Sequence, residues 1–461
     1  MKVDIPRIVV AATHSGAGKT SLTLALTAAL RGRGFAVQTF KVGPDFLDPT
    51  YLALASGRPC YNLDGWMMGE AYITDLFARV SAGADIAVIE GVMGLFDGAD
   101  AATSAGSTAE IARWLAAPVL LVVDAQGAAR SVAALVKGFD TFEAGLEIAG
   151  VVANRCASEQ HARWLGDALA SASLPPLVGA IGRGAFPPLA GRHLGLVSAD
   201  GHLLSPAVLA SFANALEKGL SLETVNELAR AAAPLTSFAA ARERRKRKIS
   251  LGLPFDEAFH FYYRDTLDEL EAQGCELVRF SPLRDDRLPE GLAGLYIGGG
   301  YPEVHARELA ANGGMLQSLR DFARLGSPIY GECGGLMYLS ESLEAADGTV
   351  YPMAGIMSLH TRMRKTRKYL GYVEATLNED SLWGRKGDLF RGHEFHYSEL
   401  VSEEKEESSW RPAYSLKRNR PGTIIPEGFQ CGNVLASYAH LHFGSRPAAV
   451  GRFVAKCGGA V

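Results

Sequence analysis

Thr13-His14-Ser15-Gly16-Ala17-Gly18-Lys19-Thr20 decides how the first half of this 461-residue chain folds. The stretch follows the apolar run Ile8 to Ala12 and opens a helical segment, Ser21 to Leu30. A glycine-rich turn between a buried strand and a helix aims successive backbone N–H groups at one point. The helix N-terminus adds partial positive charge, so the turn suits phosphate. This is the pattern of a P-loop: Ser15, Gly16 and Gly18 in the cradle, Lys19 on the terminal phosphates of a nucleotide, and the Thr20 hydroxyl on Mg²⁺. Thr13 stands where the first glycine of the usual pattern falls, which makes the loop a variant.

Downstream of the loop, short Val/Ile/Leu/Ala runs alternate with helical stretches: Ala36 to Val42, Asp85 to Glu90, Pro118 to Asp124, Ile148 to Asn154 and Pro176 to Ile181. Near-continuous apolar strands are buried on both faces, so the spacing predicts an α/β domain with a parallel sheet. Polar residues at its strand ends then share one crevice. Asp45 and Glu90 are the expected Mg²⁺ carboxylates, because this hard ion takes one or two of them and keeps several waters. Asp48 and Asp97 sit in the same loops and read equally as helix or turn caps. Asn154 suits hydrogen bonding to adenine, or serves as a turn former.

Ala- and Leu-rich helices over 201 to 241 lead into Arg242-Glu243-Arg244-Arg245-Lys246-Arg247-Lys248, read as a solvated linker. The strand pattern then restarts with Ile249 to Pro254, a helix through Leu270, Cys275 to Phe280, and Leu292 to Ile297 running into Gly298-Gly299-Gly300. The expected division is 1–235 for the nucleotide domain, 236–248 for the linker, 249–446 for a second α/β domain, and 447–461 for a short tail.

In this second half, Gly331-Glu332-Cys333-Gly334-Gly335 lies between a strand, Ser327 to Tyr330, and a predicted helix, Leu336 to Leu343. Gly-x-Cys-x-Gly has the spacing of a nucleophile elbow with a thiol in place of the serine. The alternative is a small buried hydrophobe. A thiol nucleophile needs a base, and His440 is the candidate, with His442 as the alternative. Gly298 to Gly300 reads either as an oxyanion hole or as a plain turn. In Gly392 to Ser398, His393, Glu394 and His396 alternate between strand faces and do not converge readily on a metal.

Net charge −4 and pI near 6.3 argue against nucleic acid as a partner. The six cysteines include no CxxC pair, which disfavours a disulfide framework and a Cys-based zinc site and suits a reducing cytoplasm. The N-terminal segment shows no signal-peptide core, and no apolar run reaches the ~18 residues of a membrane span, so neither export nor membrane insertion is expected. Oligomeric state is left open, a homo-oligomer included.

With these residues in place the chain resembles the cobyrinate a,c-diamide synthase family nearly end to end. The likeness rests on the loop at 13–20, Lys41-Val42-Gly43-Pro44-Asp45, Glu90-Gly91-Val92-Met93-Gly94, Asp256-Glu257-Ala258-Phe259, Gly299-Gly300-Tyr301-Pro302-Glu303, Glu332-Cys333-Gly334-Gly335-Leu336-Met337-Tyr338 and Gly392 to Ser398. The resemblance implies an N-terminal domain similar to dethiobiotin-synthetase-like P-loop enzymes and a C-terminal domain like class I glutamine amidotransferases of the cobyric-acid type. It further implies Cys333 as nucleophile, His440 as its base, and Asp48 and Asp97 facing a corrinoid tetrapyrrole. Glutamine and ATP are the implied co-substrates, with an acyl-phosphate intermediate and ammonia passing by a shielded path.

Many class I relatives carry a Glu two residues after the base. Here that position is His442, and Glu394 is the acid considered in its place. The rival readings are cobyric acid synthase, the Ni-sirohydrochlorin and hydrogenobyrinate a,c-diamide synthases, and a P-loop ATPase switch with an inert amidase-like domain. The order of the two amidations and the metal of the macrocycle stay open.

Overall fold

The computed structural model describes residues 2–188, 204–236, 249–366, 369–401, 410–419 and 422–458. The chain divides into two compact units, Met1–Ala240 and Ala241–Val461. The basic run 242–248 lies outside the described residues, as does Glu403 to Glu407, a short charged segment read from the sequence as surface.

The first unit is built on a seven-stranded sheet in the order Tyr61–Leu63, Val37–Val42, Ile86–Glu90, Arg7–Ala12, Val119–Asp124, Ile148–Cys156, Leu177–Gly182. Every pairing in it is parallel. The Arg7–Ala12 strand is wholly buried, as the apolar run within it requires. From this central strand the chain moves toward one edge of the sheet and later crosses to the other side. The loops after Arg7–Ala12, Ile86–Glu90 and Val119–Asp124 therefore open at a topological switch point, where α/β folds bind ligands.

The helix after the phosphate loop runs Lys19–Gly32, longer than the sequence pattern suggests. Its Leu22, Ala25, Leu26, Ala29 and Leu30 join the core with Ile8, Val10 and Ala12. Tyr61–Leu63 is a short edge strand that sequence reading missed, because three residues give no pattern to detect.

The second unit carries a ten-stranded sheet that changes character halfway across. Cys275–Phe280, Ile249–Pro254, Gly294–Ile297, Ile329–Glu332 and Val434–Ser437 run parallel. Ile424–Cys431, Arg411–Arg418, Tyr369–Leu377, Leu389–His396 and His440–His442 extend it antiparallel. A separate four-stranded sheet holds Val350–Pro352, Ser340–Glu344, Met357–Met363 and Ser398–Val401.

Two expectations are corrected here. The helix after Cys333 spans only Gly334–Leu339, and Ser340–Glu344 is a strand. The Ser340 hydroxyl donates to the Met337 carbonyl at 2.6 Å and the backbone turns extended, a competition that serine offers at a helix end. The segment read as a tail contains the helix Ala448–Lys456, whose Ala449, Val450, Phe453 and Val454 are buried in the second unit's core. Phe453 stacks on Trp383 with ring centroids 4.4 Å apart.

Candidate active site

In the first unit the phosphate loop is held by contacts from neighbouring strand ends. Gly18 adopts φ 103°, and a Cβ there would lie 2.1 Å from Asn154 Nδ2. Asn154 Nδ2 donates to the Ala17 carbonyl at 2.8 Å, so this amide, expected on adenine, braces the loop. Arg155 donates to Asp124 at 2.5 Å and to the Gly16 carbonyl at 3.0 Å. Lys19 Nζ donates to the carbonyls of His14, at 3.4 Å, and of Met93. Ser15 and Gly16 lie in the turn that precedes the helix.

Behind the loop, buried charges converge. Lys41 Nζ lies 2.8 Å from Asp48 Oδ2 and 2.9 Å from Glu90 Oε1. The Thr20 hydroxyl donates to both carboxylates, at 3.4 Å to Asp48 and more closely to Glu90. Burial pushes the Glu90 carboxyl up and Lys41 pulls it back, leaving it at about 7. Burial acts to lower Lys41, but the charges of Asp48, Glu90 and Asp45 outweigh it and keep the ammonium charged. Sequence reasoning gave Lys41 no role in the site. A lysine inside an otherwise buried strand was the signal available.

The three loop acids are each engaged by the protein's own groups. Asp45 Oδ1 accepts from the backbone N–H groups of Leu47, at 2.8 Å, and Asp48, at 3.0 Å. It caps the start of the Asp48–Ser56 helix, and Asp48 takes the place beside Thr20 and Glu90 that Asp45 was expected to fill. Asp97 Oδ2 accepts from Gly94 N at 2.7 Å and ties down the loop that presents Met93. Asp48 and Asp97, expected to face substrate, are thus both engaged by the protein's own groups.

The donor set fits Mg²⁺. Among the described residues, Glu90 Oε2 is buried without a hydrogen-bond partner, beside the Thr20 hydroxyl and Asp48. Among the same residues, no three His, Cys, Asp or Glu side chains cluster to hold a metal unaided. Such a sparse set suits an ion that arrives with phosphates and retains water.

In the second unit Cys333 sits at φ 48° and ψ −98°, a strained turn between the Ile329–Glu332 strand and the Gly334–Leu339 helix. The flanking glycines are required by packing: a Cβ on Gly331 would lie 2.8 Å from Leu339 Cδ1, and one on Gly335 only 2.3 Å from the Ile297 carbonyl oxygen. Cys333 N donates to the Ser437 carbonyl at 2.7 Å, which ties the elbow to the strand leading to His440.

His440 is buried, and Cys333 is among the groups that act on its ring. Burial pulls its imidazolium down, but Cys333 and Glu332 more than offset this, raising it to about 10. His442 points elsewhere: Nε2 lies 3.4 Å from Asp265, and Nδ1 accepts from Gly444 N at 3.0 Å. Glu394 is engaged by Arg418, at 2.7 and 3.1 Å, and lies 3.6 Å from His396. Of the triglycine, Gly298 N already donates to the Tyr262 hydroxyl at 3.0 Å, while a Cβ on Gly334 would lie 3.1 Å from Gly300 N. The Gly300 backbone therefore borders the elbow.

A P-loop on a parallel sheet and a cysteine–histidine elbow, carried on one chain, define a nucleotide-binding protein fused to a glutamine amidotransferase. Residues 8–183 match the CobQ/CobB/MinD/ParA nucleotide binding domain, and residues 250–448 the CobB/CobQ-like glutamine amidotransferase domain. The chain is 54% identical to the cobyrinate a,c-diamide synthase of Syntrophotalea carbinolica, over 99% of this chain and 100% of that one. It is 42% identical to that of Leptospira interrogans, over 99% of each, and 40% identical to that of Methanosarcina acetivorans, over 95% and 93%. The chain belongs to the cobyrinate a,c-diamide synthase family. Among the described residues, no helix is long and apolar enough to cross a membrane.

Proposed function

We propose that this chain amidates the a and c carboxylates of cobyrinate with ATP and glutamine. The observation that carries the reading is Cys333 at a strained elbow with buried His440 acted on by it, on the same chain as a phosphate loop backed by Thr20, Asp48 and Glu90.

A carboxylate is a poor electrophile, so the substrate oxygen first takes the terminal phosphoryl group of ATP to form an acyl phosphate. Lys19 and the loop amides hold the phosphates in line and offset the charge that develops. Thr20, Glu90 and Asp48 would hold Mg²⁺, which when bound supplies further charge neutralisation at the phosphoryl oxygens. Cys333 attacks the glutamine carboxamide to form a thioester, His440 carries the proton to the departing nitrogen, water hydrolyses the thioester to glutamate and frees the thiol, and ammonia displaces phosphate from the acyl phosphate. All six cysteines are free thiols, which supports the cytoplasm as the compartment.

The test uses the purified full chain with cobyrinate and ATP, reading products by mass spectrometry. Cys333→Ala should lose glutamine-driven diamide formation by at least about a thousandfold and retain turnover with ammonium chloride. Lys19→Ala should stop both routes. Ammonium-driven turnover in Lys19→Ala would overturn the phosphoryl-transfer step, and undiminished glutamine use in Cys333→Ala would overturn the thiol step.

A further inference from the structure

Glu332 is the residue before the nucleophile, and it is 2% exposed. Strand alternation puts Tyr330 and Glu332 on one face of the Ile329–Glu332 strand. On the neighbouring parallel strand, Tyr296 is in register with Tyr330. Both phenols turn to the carboxylate: Tyr296 donates to Oε2 at 2.7 Å and Tyr330 to Oε1 at 3.0 Å. Burial, and next the Glu332 charge, hold both hydroxyls protonated, so they remain donors. The carboxylate is thus fixed from two sides, and His440 Nδ1 lies 3.9 Å from Oε2.

The remaining surroundings of His440 point the same way. In the antiparallel register His393 stands opposite His440, and the rings stack at 4.9 Å with a 15° interplanar angle. Burial, and then the charges of His440 and His442, push His393 well below its usual range, so it stays neutral. Its Nδ1 is hydrogen-bonded to the Tyr263 hydroxyl at 3.1 Å. A Cβ on Gly299 would come within 2.7 Å of His440 Cε1, so the glycine closes the ring's edge. The titratable groups facing His440 are therefore Cys333 and Glu332 from the elbow and neutral His393 from the adjoining strand.

We propose that Glu332 is the positioning residue of the glutamine site: held by Tyr296 and Tyr330, it orients His440 through Nδ1 and replaces the carboxylate missing at position 442. The inference rests on the Cys333–His440 reading above. With Nδ1 turned to Glu332, Nε2 is the nitrogen that exchanges protons with sulfur. The thiol proton passes to Nε2 and its electron pair stays on sulfur. Sulfur then bonds to the carboxamide carbon, the C–N bond breaks, and Nε2 returns the proton to the leaving nitrogen as NH₃. Glu332 accepts no proton at any step; it holds the tautomer and stabilises the imidazolium.

Glutamine hydrolysis by the full chain, followed over about pH 6 to 10, tests the assignment. Glu332→Gln should lower kcat about 10–100-fold and move the alkaline limb of the profile to lower pH, because His440 loses a charge that raises it. Glu332→Asp should recover part of the rate and the limb. Tyr296→Phe and Tyr330→Phe, each leaving one phenol on the carboxylate, should shift the limb the same way by less, and they decide the matter if Glu332→Gln does not fold. An unmoved limb and wild-type kcat in these variants, with Cys333→Ala inactive, would overturn the role of Glu332 alone. Glutamine hydrolysis surviving in Cys333→Ala would overturn the underlying reading instead.

Discussion

The two sites balance their buried charge in opposite ways. Behind the phosphate loop, one ammonium, Lys41, faces two carboxylates, Asp48 and Glu90, at 2.8 and 2.9 Å, and Glu90 Oε2 has no hydrogen bond among the described residues. At the elbow, Glu332 has two phenol donors within 3.0 Å and an imidazole beyond them. The first site keeps a surplus of negative charge that a cation brought with nucleotide would complete. The second supplies its own partners before substrate arrives. A site that must accept a phosphate-bound ion needs unspent ligands, whereas one that must activate a thiol needs its base oriented in advance.

The difference is most exposed at Lys41. Lys41→Met removes the ammonium between Asp48 and Glu90 and leaves buried carboxylates uncompensated, which costs about 3–5 kcal/mol. Glu90 sits at about 7 and is pulled down by Lys41, so without the lysine it protonates more readily. The loss should therefore be greatest near about pH 8 and smaller near about pH 6. Urea unfolding at the two pH values checks this; an equal loss at both would mean that the carboxylates do not carry the cost.

A smaller effect probes the second unit, where Glu332 and Glu427 rely on neutral donors. Glu427 accepts from the Ser437 hydroxyl at 2.5 Å and from Tyr438 N at 2.8 Å, and burial raises it to about 7. A carboxyl raised above its unfolded value of 4.5 gives stability that is fully present below that value and lost as pH rises through about 7. Glu427→Gln should therefore gain on the wild type between about pH 5 and pH 8, by about 2–4 °C in Tm for each kcal/mol involved. Paired thermal melts measure it. A constant difference across that range would show that Glu427 does not titrate there.

The same contrast explains what could be read from the sequence. The phosphate loop is contiguous, and its function follows from backbone geometry that Gly16, Gly18 and the following helix enforce locally. The parallel strands announced themselves as apolar runs. The elbow was also legible, because Gly331 and Gly335 flank Cys333. Of its partners, His440 was legible as a candidate beside His442, whereas His393 and Tyr296 were not, since they reach it through the register of a sheet that turns antiparallel partway across. Glu332 stood within the quoted motif, yet its role depends on which face of the strand Tyr330 shares. Among the loop acids, spacing alone could not separate Asp45 from Asp48. Close together at a helix start, one caps the backbone and the other turns inward.

That separation gives the smallest effect and the sharpest check on the first site. Asp45 Oδ1 accepts two backbone N–H bonds at the start of the Asp48–Ser56 helix, and burial together with the Asp48 charge raises its carboxyl. Asn keeps an acceptor oxygen at the same place without the charge, whereas Ala removes the cap. Asp45→Ala should cost about 1 kcal/mol in urea unfolding, and Asp45→Asn only a few tenths. Ammonium-driven turnover should fall with the cap, in Asp45→Ala more than in Asp45→Asn. If Asp45→Asn instead abolished that turnover at unchanged stability, the charge itself would be needed beside the phosphates, and the surplus of carboxylate at this site would be larger by one.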